Sequence, residues 1–407
     1  MLKKYLFLLI LSSTSLICTS SVIVSGGTDN DITGRMCRTP DGRLIAIIER
    51  NSDWGSGDFF ATLSDDEGET WSALNTIVSQ SGNQSTHSVL CVNDTIFLFY
   101  ASDESGYYKI YSIESVDGIN WINKTLVDLG WSASENIYDP IVISEDDGSF
   151  TMSYISMGNG AYAAHCPANG TWDTNKNQII FGGYRARICK HSDGTYMAAY
   201  HRNISGNYDI HVRTSNDLIN WTDEIDITSN GNSHDAYCSV SPDGIYYLYY
   251  AKNTAGVYNL CRKYSADCIN WSNEEPITSD LSSNTQPSLF FDNNLLHLMW
   301  THAIDYDTDN DVYYENFSYI TNKEELKISS DFKLNAFSYN DNLVIDLQGN
   351  NNDSYKVSII SITGQILYNR FHTANEAKIT LPNIPAGMYI IRAESGKSSK
   401  TIKTIVN

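Results

Sequence analysis

The chain has 407 residues, of which 27 are Lys or Arg and 48 are Asp or Glu, so its formal net charge is −21. This length is enough for two domains, or for one large repeat fold with an appendage. Binding the phosphate backbone of nucleic acid requires clustered lysines and arginines, so an acidic chain of this kind is not expected to have a nucleic-acid partner.

The first 21 residues have the pattern of a secretory signal peptide. Lys3 and Lys4 precede a short apolar run over residues 5–11, and small residues follow. This run is too short to span a membrane. We therefore expect residues 1–21 to be a signal peptide and the rest of the chain to be exported.

A repeat unit then recurs along the chain to about residue 328. Each unit consists of a strand, an Asp-Gly-type turn, two further strands and a tight S-x-D turn that ends near a tryptophan. The tryptophans follow one another at steps of 50, 51, 49 and 50 residues, at Trp71, Trp121, Trp172, Trp221 and Trp271. A fixed step that accommodates four short strands is typical of a β-propeller.

Six segments open these repeats as strand, turn and strand, and they cover residues 34–48, 86–100, 138–154, 185–200, 234–250 and 285–300. The last repeat has no S-x-D turn, so six blades are predicted and five are the alternative. Before the first repeat, VIVSGG (residues 22–27) is a free strand. Such a strand would complete the last blade and remove an exposed sheet edge.

The repeat step stops near residue 330, and residues 331–407 form six or seven short strand patterns without helix signals. This pattern is typical of a small β-sandwich. The predicted fold class is therefore all-β, with a six-bladed β-propeller over residues 22–328 followed by a small C-terminal β-sandwich over residues 331–407.

Four of the eight cysteines occupy similar places on the first strands of their repeats: Cys37, Cys91, Cys189 and Cys238. A small residue repeated at one position is typical of a packed core rather than of a metal site. No C-x-x-C sequence occurs, so no zinc site is predicted.

An acidic run with aspartates at alternate positions, D-x-D-x-D-N-D, covers residues 305–311. Oxygen ligands at this spacing suit calcium. Asn310 stands where a calcium loop of the EF-hand type has glycine. The sequence therefore favours a solvated acidic turn, and neither a metal nor a cofactor is predicted.

The first strand of each propeller blade lines the central axis, so the residues that begin these strands should surround one mouth of the channel. The polar residues at these positions are Arg35, His87, Asp139, Arg185 or Arg187, His234 with Asp235, and Gln286. Burying polar groups is costly unless they are paired. This ring is therefore the candidate binding or catalytic site.

Residues 35–71 resemble the N-terminal region of the sialidase superfamily. The resemblance rests on the opening arginine, the P-D-G-R-L-I-A turn and strand, the E-R-N-S-D-W-G segment and the Asp-box SDDEGETW. It implies that Arg35 binds a substrate carboxylate, with Arg50 nearby, because a guanidinium holds a carboxylate through two hydrogen bonds. It also implies that Asp53 is the general acid/base, and shielding by Trp54 could raise the pKa of this carboxyl.

The later blades match the family less closely. Arg202 stands where a second family arginine is expected, but Arg187 replaces the expected glutamate. His234 and Asp235 stand where a third arginine would open blade five, and Gln286 stands where the nucleophilic tyrosine would open blade six. The full sialidase catalytic set is therefore absent from the sequence.

The predicted function is that of a secreted carbohydrate-active enzyme, a sialidase-like glycoside hydrolase that acts on an anionic glycan. Asp53 is the predicted acid/base, and Asp139 or Asp235 could form a catalytic carboxylate pair with it. The predicted substrate-binding residues are Arg35, Arg50, Trp54, His87, Arg187, Arg202 and His234.

Three alternatives stay open on the same residues. The Y-D-P sequence at residues 138–140 resembles the strand openings of five-bladed arabinanase-type hydrolases. His87 or Tyr138, acting with the arginines, would suit a lyase on uronic acid polymers. A propeller that has lost its nucleophile would bind a glycan or a protein without catalysis.

The C-terminal stretch closely resembles the sorting domain of bacterial type IX secretion. The elements T-G-Q-I (residues 363–366) and P-A-G-M-Y-I-I-R (residues 385–392) carry this resemblance. It implies that outer-membrane secretion machinery is a partner and that the protein is secreted or held at the cell surface. We expect the exported protein to be a monomer.

Overall fold

The computed structural model describes residues 21–51, 55–182, 184–204, 206–229, 231–279, 281–292, 295–305 and 309–318, and within the C-terminal region 333–339, 342–348, 354–361, 366–373, 378–382, 385, 387–395 and 398–406. These residues form 31 strands and no α-helix. Accordingly, the described part of the chain contains no helix suited to crossing a membrane. The chain divides into two compact units, Met1–Tyr319 and Ile320–Asn407.

Six four-stranded antiparallel sheets make up the described part of the first unit. Their strands are β1 (Val22–Ile23), β2 (Asp31–Arg38), β3 (Leu44–Arg50), β4 (Asp58–Ser64), β5 (Asn75–Val78), β6 (Gln84–Val92), β7 (Thr95–Ser102), β8 (Lys109–Ser115), β9 (Ile122–Leu126), β10 (Ile137–Ser144), β11 (Phe150–Ser156), β12 (Gly160–Cys166), β13 (Asn177–Ile180), β14 (Tyr184–Lys190), β15 (Tyr196–Ile204), β16 (Asn207–Ser215), β17 (Ile225–Asp226), β18 (Ser233–Val240), β19 (Tyr246–Thr254), β20 (Val257–Ser265), β21 (Glu275–Pro276), β22 (Asn284–Asp292), β23 (Leu295–Asp305) and β24 (Asp309–Ser318). Five sheets each use four consecutive strands, from β2–β5 to β18–β21, and the sixth has the order β1-β24-β23-β22.

The first strands of the six sheets form a closed ring. Strands β2, β6, β10, β14, β18 and β22 contact one another in that order, and β22 contacts β2. The N-terminal segment completes the sixth sheet, where Val22 pairs with Tyr314 and Ile23 pairs with Tyr313. The expectation that VIVSGG supplies the missing strand of the last sheet is confirmed.

The core lies between neighbouring sheets, and β3 shows how one strand serves two interfaces. All five residues from Leu44 to Ile48 are fully buried. Leu44, Ala46 and Ile48 pack with the sixth sheet, whereas Ile45 and Ile47 pack with the second. Successive side chains of a strand point to opposite faces, so a strand buried on both faces is apolar throughout instead of alternating.

The repeated cysteines belong to these interfaces. Cys37, Cys189 and Cys238 are buried in the core, and all three are unpaired thiols. Burial raises the pKa of the Cys37 and Cys189 thiols well above the usual value. These three cysteines therefore act as small core residues, as their repeated position predicts.

The S-x-D turns connect the third strand to the fourth and are held by their aspartates. Asp117 Oδ1 accepts hydrogen bonds from the backbone N–H groups of Ile119 and Asn120, both at 2.8 Å. The next position is left-handed, with φ values of 74° at Gly118, 63° at Leu218 and 59° at Cys268. Equivalent aspartate hydrogen bonds hold Leu218 and Cys268 in the same conformation, so this position does not require glycine.

The second unit contains two sheets with the orders β25-β26-β29 and β28-β27-β30-β31. Its strands are β25 (Lys333–Tyr339), β26 (Asn342–Gln348), β27 (Ser354–Ser361), β28 (Ile366–Thr373), β29 (Lys378–Pro382), β30 (Gly387–Ser395) and β31 (Ser398–Val406). Side chains of both sheets meet in one buried cluster, which includes Leu343, Ile345, Val357, Ile359 and Ile391.

The acidic run of the sixth sheet is only partly within the described residues, and Asp307 lies outside them. Asp311 on β24 is 3% exposed, and its Oδ1 atom has no hydrogen-bond partner in the part of the chain described. Burial, reinforced by the charges of Asp309 and Asp31, raises the pKa of Asp311 to about 6. The expectation of a solvated acidic turn is therefore wrong for Asp311.

Replacing Asp117 with alanine should lower the free energy of unfolding of the first unit by about 1 kcal/mol. A buried hydrogen bond to a charged acceptor contributes somewhat more than this to stability, and an exposed one contributes less. The hydrogen bonds from Asn120 and Ile119 hold the pKa of Asp117 well below its usual range. Its stabilising contribution is therefore present above the unfolded value of 3.8 and is lost as the pH falls toward the folded pKa. Thermal unfolding at pH 7 and at pH 3 would measure this difference. An equal melting temperature for wild type and Asp117→Ala at pH 7 would contradict the role of the turn.

Replacing Asp311 with asparagine should stabilise the first unit at pH 8. The raised pKa means that the folded protein keeps a proton that the unfolded chain has lost, so stability decreases as the pH rises from about 4 to about 6. Asparagine removes this penalty, which is at most about 3 kcal/mol because one pKa unit corresponds to about 1.4 kcal/mol. Melting temperatures of both proteins between pH 4 and pH 8 provide the measurement. A gain that is as large at pH 4 as at pH 8 would show that the proton is not its cause.

Candidate functional site

One backbone irregularity recurs in the first strand of all six sheets of the first unit. The register between the first and second strands shifts at a β-bulge in each sheet. One residue at each bulge is left-handed, with φ between 47° and 59°: Thr33, Thr86, Asp139, Arg185, Asp235 and Gln286. Because a bulge bends the strand and turns a side chain in a new direction, these six residues occupy equivalent places around the ring.

The bulges show that the predicted ring residues stand at four different strand positions. Asp139, Arg185, Asp235 and Gln286 are bulge residues. Arg35 and Arg187 follow the bulge by two residues, His87 follows it by one, and His234 precedes it by one. Since neighbouring positions of a strand point in different directions, these side chains do not all have the same neighbours.

Neutral side chains connect the bulges on one side of the ring. Thr33 Oγ1 donates a hydrogen bond of 2.8 Å to Gln286 Oε1, which joins the first and sixth sheets. The backbone N–H of Asp139 donates a hydrogen bond of 2.9 Å to Thr86 Oγ1, which joins the second and third sheets. Part of the ring is thus held by uncharged contacts.

Charged side chains connect the third, fourth and fifth sheets. Arg187 Nη1 lies 2.7 Å from Asp139 Oδ2, and both side chains are only 4% exposed. Burial acts to raise the pKa of Asp139, but the charges of Arg187, Arg185 and Arg35 outweigh burial and lower the pKa. Asp139 is therefore an ionised carboxylate at neutral pH.

Asp235 is the second carboxylate of this charged side. Arg185 Nε lies 3.6 Å from Asp235 Oδ1. Burial acts to raise the pKa of Asp235, but Arg185, His201 and His234 outweigh it and lower the pKa. Both predicted ring carboxylates can therefore act as bases, nucleophiles or electrostatic partners, and neither holds a proton to donate at neutral pH.

The two histidines beside Asp235 are neutral at pH 7. Burial lowers the pKa of His201 to about 4, and burial also lowers the pKa of His234. The backbone N–H of Asp235 donates a hydrogen bond of 3.2 Å to His201 Nδ1. The proton of the neutral His201 ring is therefore on Nε2, where it can be donated.

Arg35 differs from the other ring arginines in its partners. It is 4% exposed, and its Nε atom has no hydrogen-bond partner among the residues that the structure describes. Its Nη1 atom donates a long hydrogen bond of 3.4 Å to the Gly34 carbonyl, and its guanidinium carbon lies 4.8 Å from the centre of the Tyr237 ring. Burial, with repulsion from Arg187, lowers the pKa of Arg35 to about 10. Arg35 is therefore a buried cation that stays charged at neutral pH.

The structure does not support a substrate contact by His87. This side chain is buried, with Nδ1 at 3.1 Å from Glu49 Oε1 and Nε2 at 3.1 Å from the Ile47 carbonyl. Its ring packs against Phe59 with 4.9 Å between the ring centres. Because the bulge places His87 one position beyond Thr86, the side chain enters the interface between the first two sheets instead of the ring.

Arg50 is also engaged elsewhere. Its Nε and Nη2 atoms donate hydrogen bonds of 2.6 and 2.8 Å to the two carboxylate oxygens of Asp31. Its Nη1 atom lies 2.9 Å from Asp29 Oδ2, and the guanidinium stacks over the Phe60 ring. These contacts account for Arg50 as a structural cation.

Arg202 likewise has a structural partner. Arg202 Nη1 lies 2.9 Å from Glu224 Oε1, and Tyr200 Oη donates a hydrogen bond of 2.8 Å to Glu224 Oε2. The next sheet repeats the arrangement with Lys252, Glu274 and Tyr250. A contact that recurs in the next sheet at the same place belongs to the architecture of the sheet, so the structure does not support Arg202 as a substrate-binding residue.

Asp53 and Trp54 lie outside the described residues. Their predicted roles as acid/base and shielding residue therefore stay predictions.

Sequence reasoning missed Tyr237 and His201. Tyr237 follows its bulge by two residues, as do Arg35 and Arg187, and it contacts Arg35. Five of the six openings have a small residue or a proline directly after the bulge, and aligning them on this residue marks Tyr237: Gly34, Pro140, Ala186, Ala236 and Pro287. His201 comes from a second strand, β15, and no local pattern marks its contact with Asp235.

Comparison with protein-family models assigns the end of the chain. Residues 339–407 match the model of the secretion system C-terminal sorting domain. The predicted C-terminal resemblance is thus confirmed. A search of curated proteins returned no match.

Solved structures similar to this chain include sialidases and an arabinofuranosidase. The NanB sialidase from Streptococcus pneumoniae has a TM-score of 0.59 and 11% identity, over 73% of this chain and 70% of that one. Trypanosoma rangeli sialidase has a TM-score of 0.56 and 10% identity, over 95% and 87%. The α-L-arabinofuranosidase from Fusarium graminearum has a TM-score of 0.56 and 16% identity, over 74% and 99%. The chain thus has the propeller fold that these glycoside hydrolases have, and it ends in a type IX sorting domain.

Proposed function

We propose that this chain is a secreted glycoside hydrolase that acts on an anionic glycan, and that Arg35 binds the carboxylate of that glycan at the centre of a six-bladed β-propeller. Residues 1–21 would direct export from the cytoplasm as a signal peptide. The C-terminal unit would form a β-sandwich that serves the type IX machinery, so the chemistry would belong to the first unit alone.

The unpaired guanidinium of Arg35 is the observation that carries this proposal. A buried charge is costly unless a partner of opposite charge compensates it. Arg187 has Asp139 and Arg185 has Asp235, whereas Arg35 has no ion-pair partner among the described residues. A planar carboxylate matches the guanidinium through two parallel hydrogen bonds. An acidic sugar would therefore supply the missing charge.

The ring carboxylates divide the catalytic roles. Hydrolysis of a glycoside requires a proton donor for the leaving oxygen and a second carboxylate that acts on the sugar or on water. Asp139 and Asp235 have lowered pKa values and would supply the second carboxylate. The proton donor would be Asp53, in the role that the sialidase resemblance implies.

A lyase on uronic acid polymers is the second candidate, and the neutral histidines favour it. Such a lyase needs a base beside a carboxylate whose charge is neutralised. The neutral imidazole of His234 could accept the proton while Arg35 neutralises the carboxylate. The electrons of the broken C–H bond would form a carbon–carbon double bond while the glycosidic carbon–oxygen bond breaks, the leaving oxygen would take up a proton, and no water would be consumed.

Replacing Arg35 with methionine should weaken binding of the acidic glycan roughly 30- to 5000-fold, because truncating one partner of a buried charge pair costs about 2–5 kcal/mol. Titration calorimetry with sialylated and uronic acid oligosaccharides would measure the loss. Arg43→Met is the matched control, since Arg43 pairs with Asp41 at the surface and should keep wild-type affinity. Equal affinities of Arg35→Met and wild type would refute the proposed role of Arg35.

Replacing Asp53 with alanine should reduce hydrolysis about 100-fold or more, because a positioned general acid/base typically contributes at least this factor. The measurement is product release from sialylated, uronic acid and neutral glycans by wild type, Asp53→Ala and the surface control Asp65→Ala, whose side chain is 84% exposed.

The three functional classes give different results in this experiment. Hydrolysis lost only in Asp53→Ala supports the hydrolase. An unsaturated uronic product, formed equally by both Asp variants, would identify the lyase instead. Glycan binding by wild type without any product would identify a binding propeller.

A further inference from the structure

Five aromatic rings lie together beside the charged side of the ring, and we call them the aromatic shelf: Tyr184, His201, Tyr208, His234 and Tyr258. The centres of Tyr184 and His201 are 5.9 Å apart, and their planes differ by only 21°. His234 lies 5.4 Å from His201, 4.5 Å from Tyr208 and 5.4 Å from Tyr258. The rings therefore form a continuous surface across the fourth and fifth sheets.

The shelf adjoins the charged ring residues directly. Tyr184 immediately precedes the bulge residue Arg185, and His234 immediately precedes Asp235. Tyr208 and Tyr258 come from the beginnings of the third strands β16 and β20, each in a Gly-x-Tyr sequence. The shelf thus lies at the mouth of the ring, next to one carboxylate and one guanidinium.

The shelf is accessible to a ligand. Tyr184 is 47% exposed, and Tyr208, His234 and Tyr258 are half-buried. His201 lies beneath them and is buried. An exposed group of aromatic side chains beside polar residues is a typical feature of a binding surface.

The shelf occupies one side of the ring only. The strand position of Tyr184 and His234 is filled by Tyr138 in the third sheet, but by Ile32 in the first sheet, Ser85 in the second and Thr285 in the sixth. Aromatic residues at this position therefore occur only in the third, fourth and fifth sheets, and the chain of a ligand held at Arg35 in the first sheet would meet them across the ring.

We propose that the aromatic shelf binds the neutral sugar ring that follows the acidic sugar in the glycan, which makes this inference dependent on the proposed function. The C–H groups on one face of a pyranose are weakly positive and pack against the negative face of an aromatic ring. Arg185 and Asp235 stand beside the rings as a donor and an acceptor for sugar hydroxyls. A cationic ligand is disfavoured, because Arg185 would repel it and already compensates Asp235.

The test compares glycans with and without the neutral sugar, using the full chain with Asp53→Ala to prevent turnover. The acidic monosaccharides are N-acetylneuraminic acid and glucuronic acid. The matching oligosaccharides are sialyllactose and glucuronic acid-substituted xylotriose, and lactose and xylotriose are the neutral probes. Calorimetry gives the affinity for each probe with Tyr208→Ala, Tyr258→Ala and the conservative Tyr208→Phe, after thermal unfolding has shown that each variant is folded.

Both alanine variants should bind the acidic oligosaccharide about tenfold more weakly. Removing the ring removes its stacking energy, which corresponds to about a tenfold change in affinity. Tyr208→Phe keeps the ring and should retain wild-type affinity, and every variant should bind the acidic monosaccharide as wild type does. Alanine variants with wild-type affinity for the oligosaccharide would overturn the shelf, as would the absence of any oligosaccharide binding. If acidic monosaccharides do not bind but lactose or xylotriose binds in a Tyr208-dependent way, the shelf stands and the proposed function of Arg35 fails.

Discussion

The left-handed bulge in each first strand is the constraint on which the candidate site depends. A residue other than glycine costs roughly 1–2 kcal/mol in this conformation. Residues as different as Thr33, Arg185 and Gln286 adopt it, and none of the six bulge residues is glycine. The conformation is therefore a property of this strand position and not of the residue type. Its effect is to turn one side chain from every sheet toward the others, which strands of regular pleat would not do.

The site that results is polar, and its groups are held in place by contacts with one another. Thr33 and Gln286 close one side of the ring through uncharged contacts, and Arg187 and Asp139 close another through a buried ion pair. Fixed polar groups stabilise developing charge without having to reorganise, which is the main advantage of a preorganised site. Among the described residues, Arg35 has no ion-pair partner because the neighbouring carboxylates Asp139 and Asp235 already pair with Arg187 and Arg185.

The sequence predicts the architecture better than the site because the two depend on different distances along the chain. The repeat step and the strand patterns are periodic or local, and they suffice for the sheets. Ring contacts depend on register, and a shift of one residue reverses the direction of a side chain. This is why His87 enters an interface between sheets. The ion pairs of Arg50 and Arg202 are not predictable from local sequence for another reason, since their partners Asp31 and Glu224 are distant in sequence.

The pairing of β1 with β24 also determines the order in which the first unit can fold. The N-terminal strand leaves any translocation channel first, yet its partner is the last strand of the unit. Closing so long a loop adds little to the equilibrium cost, since loop entropy grows only logarithmically with length. Contacts this far apart in sequence nevertheless form slowly. Until β24 has emerged, β1 has no partner strand and the sixth sheet is incomplete. The ring of sheets can therefore be completed only after the last strand of the unit is available to β1.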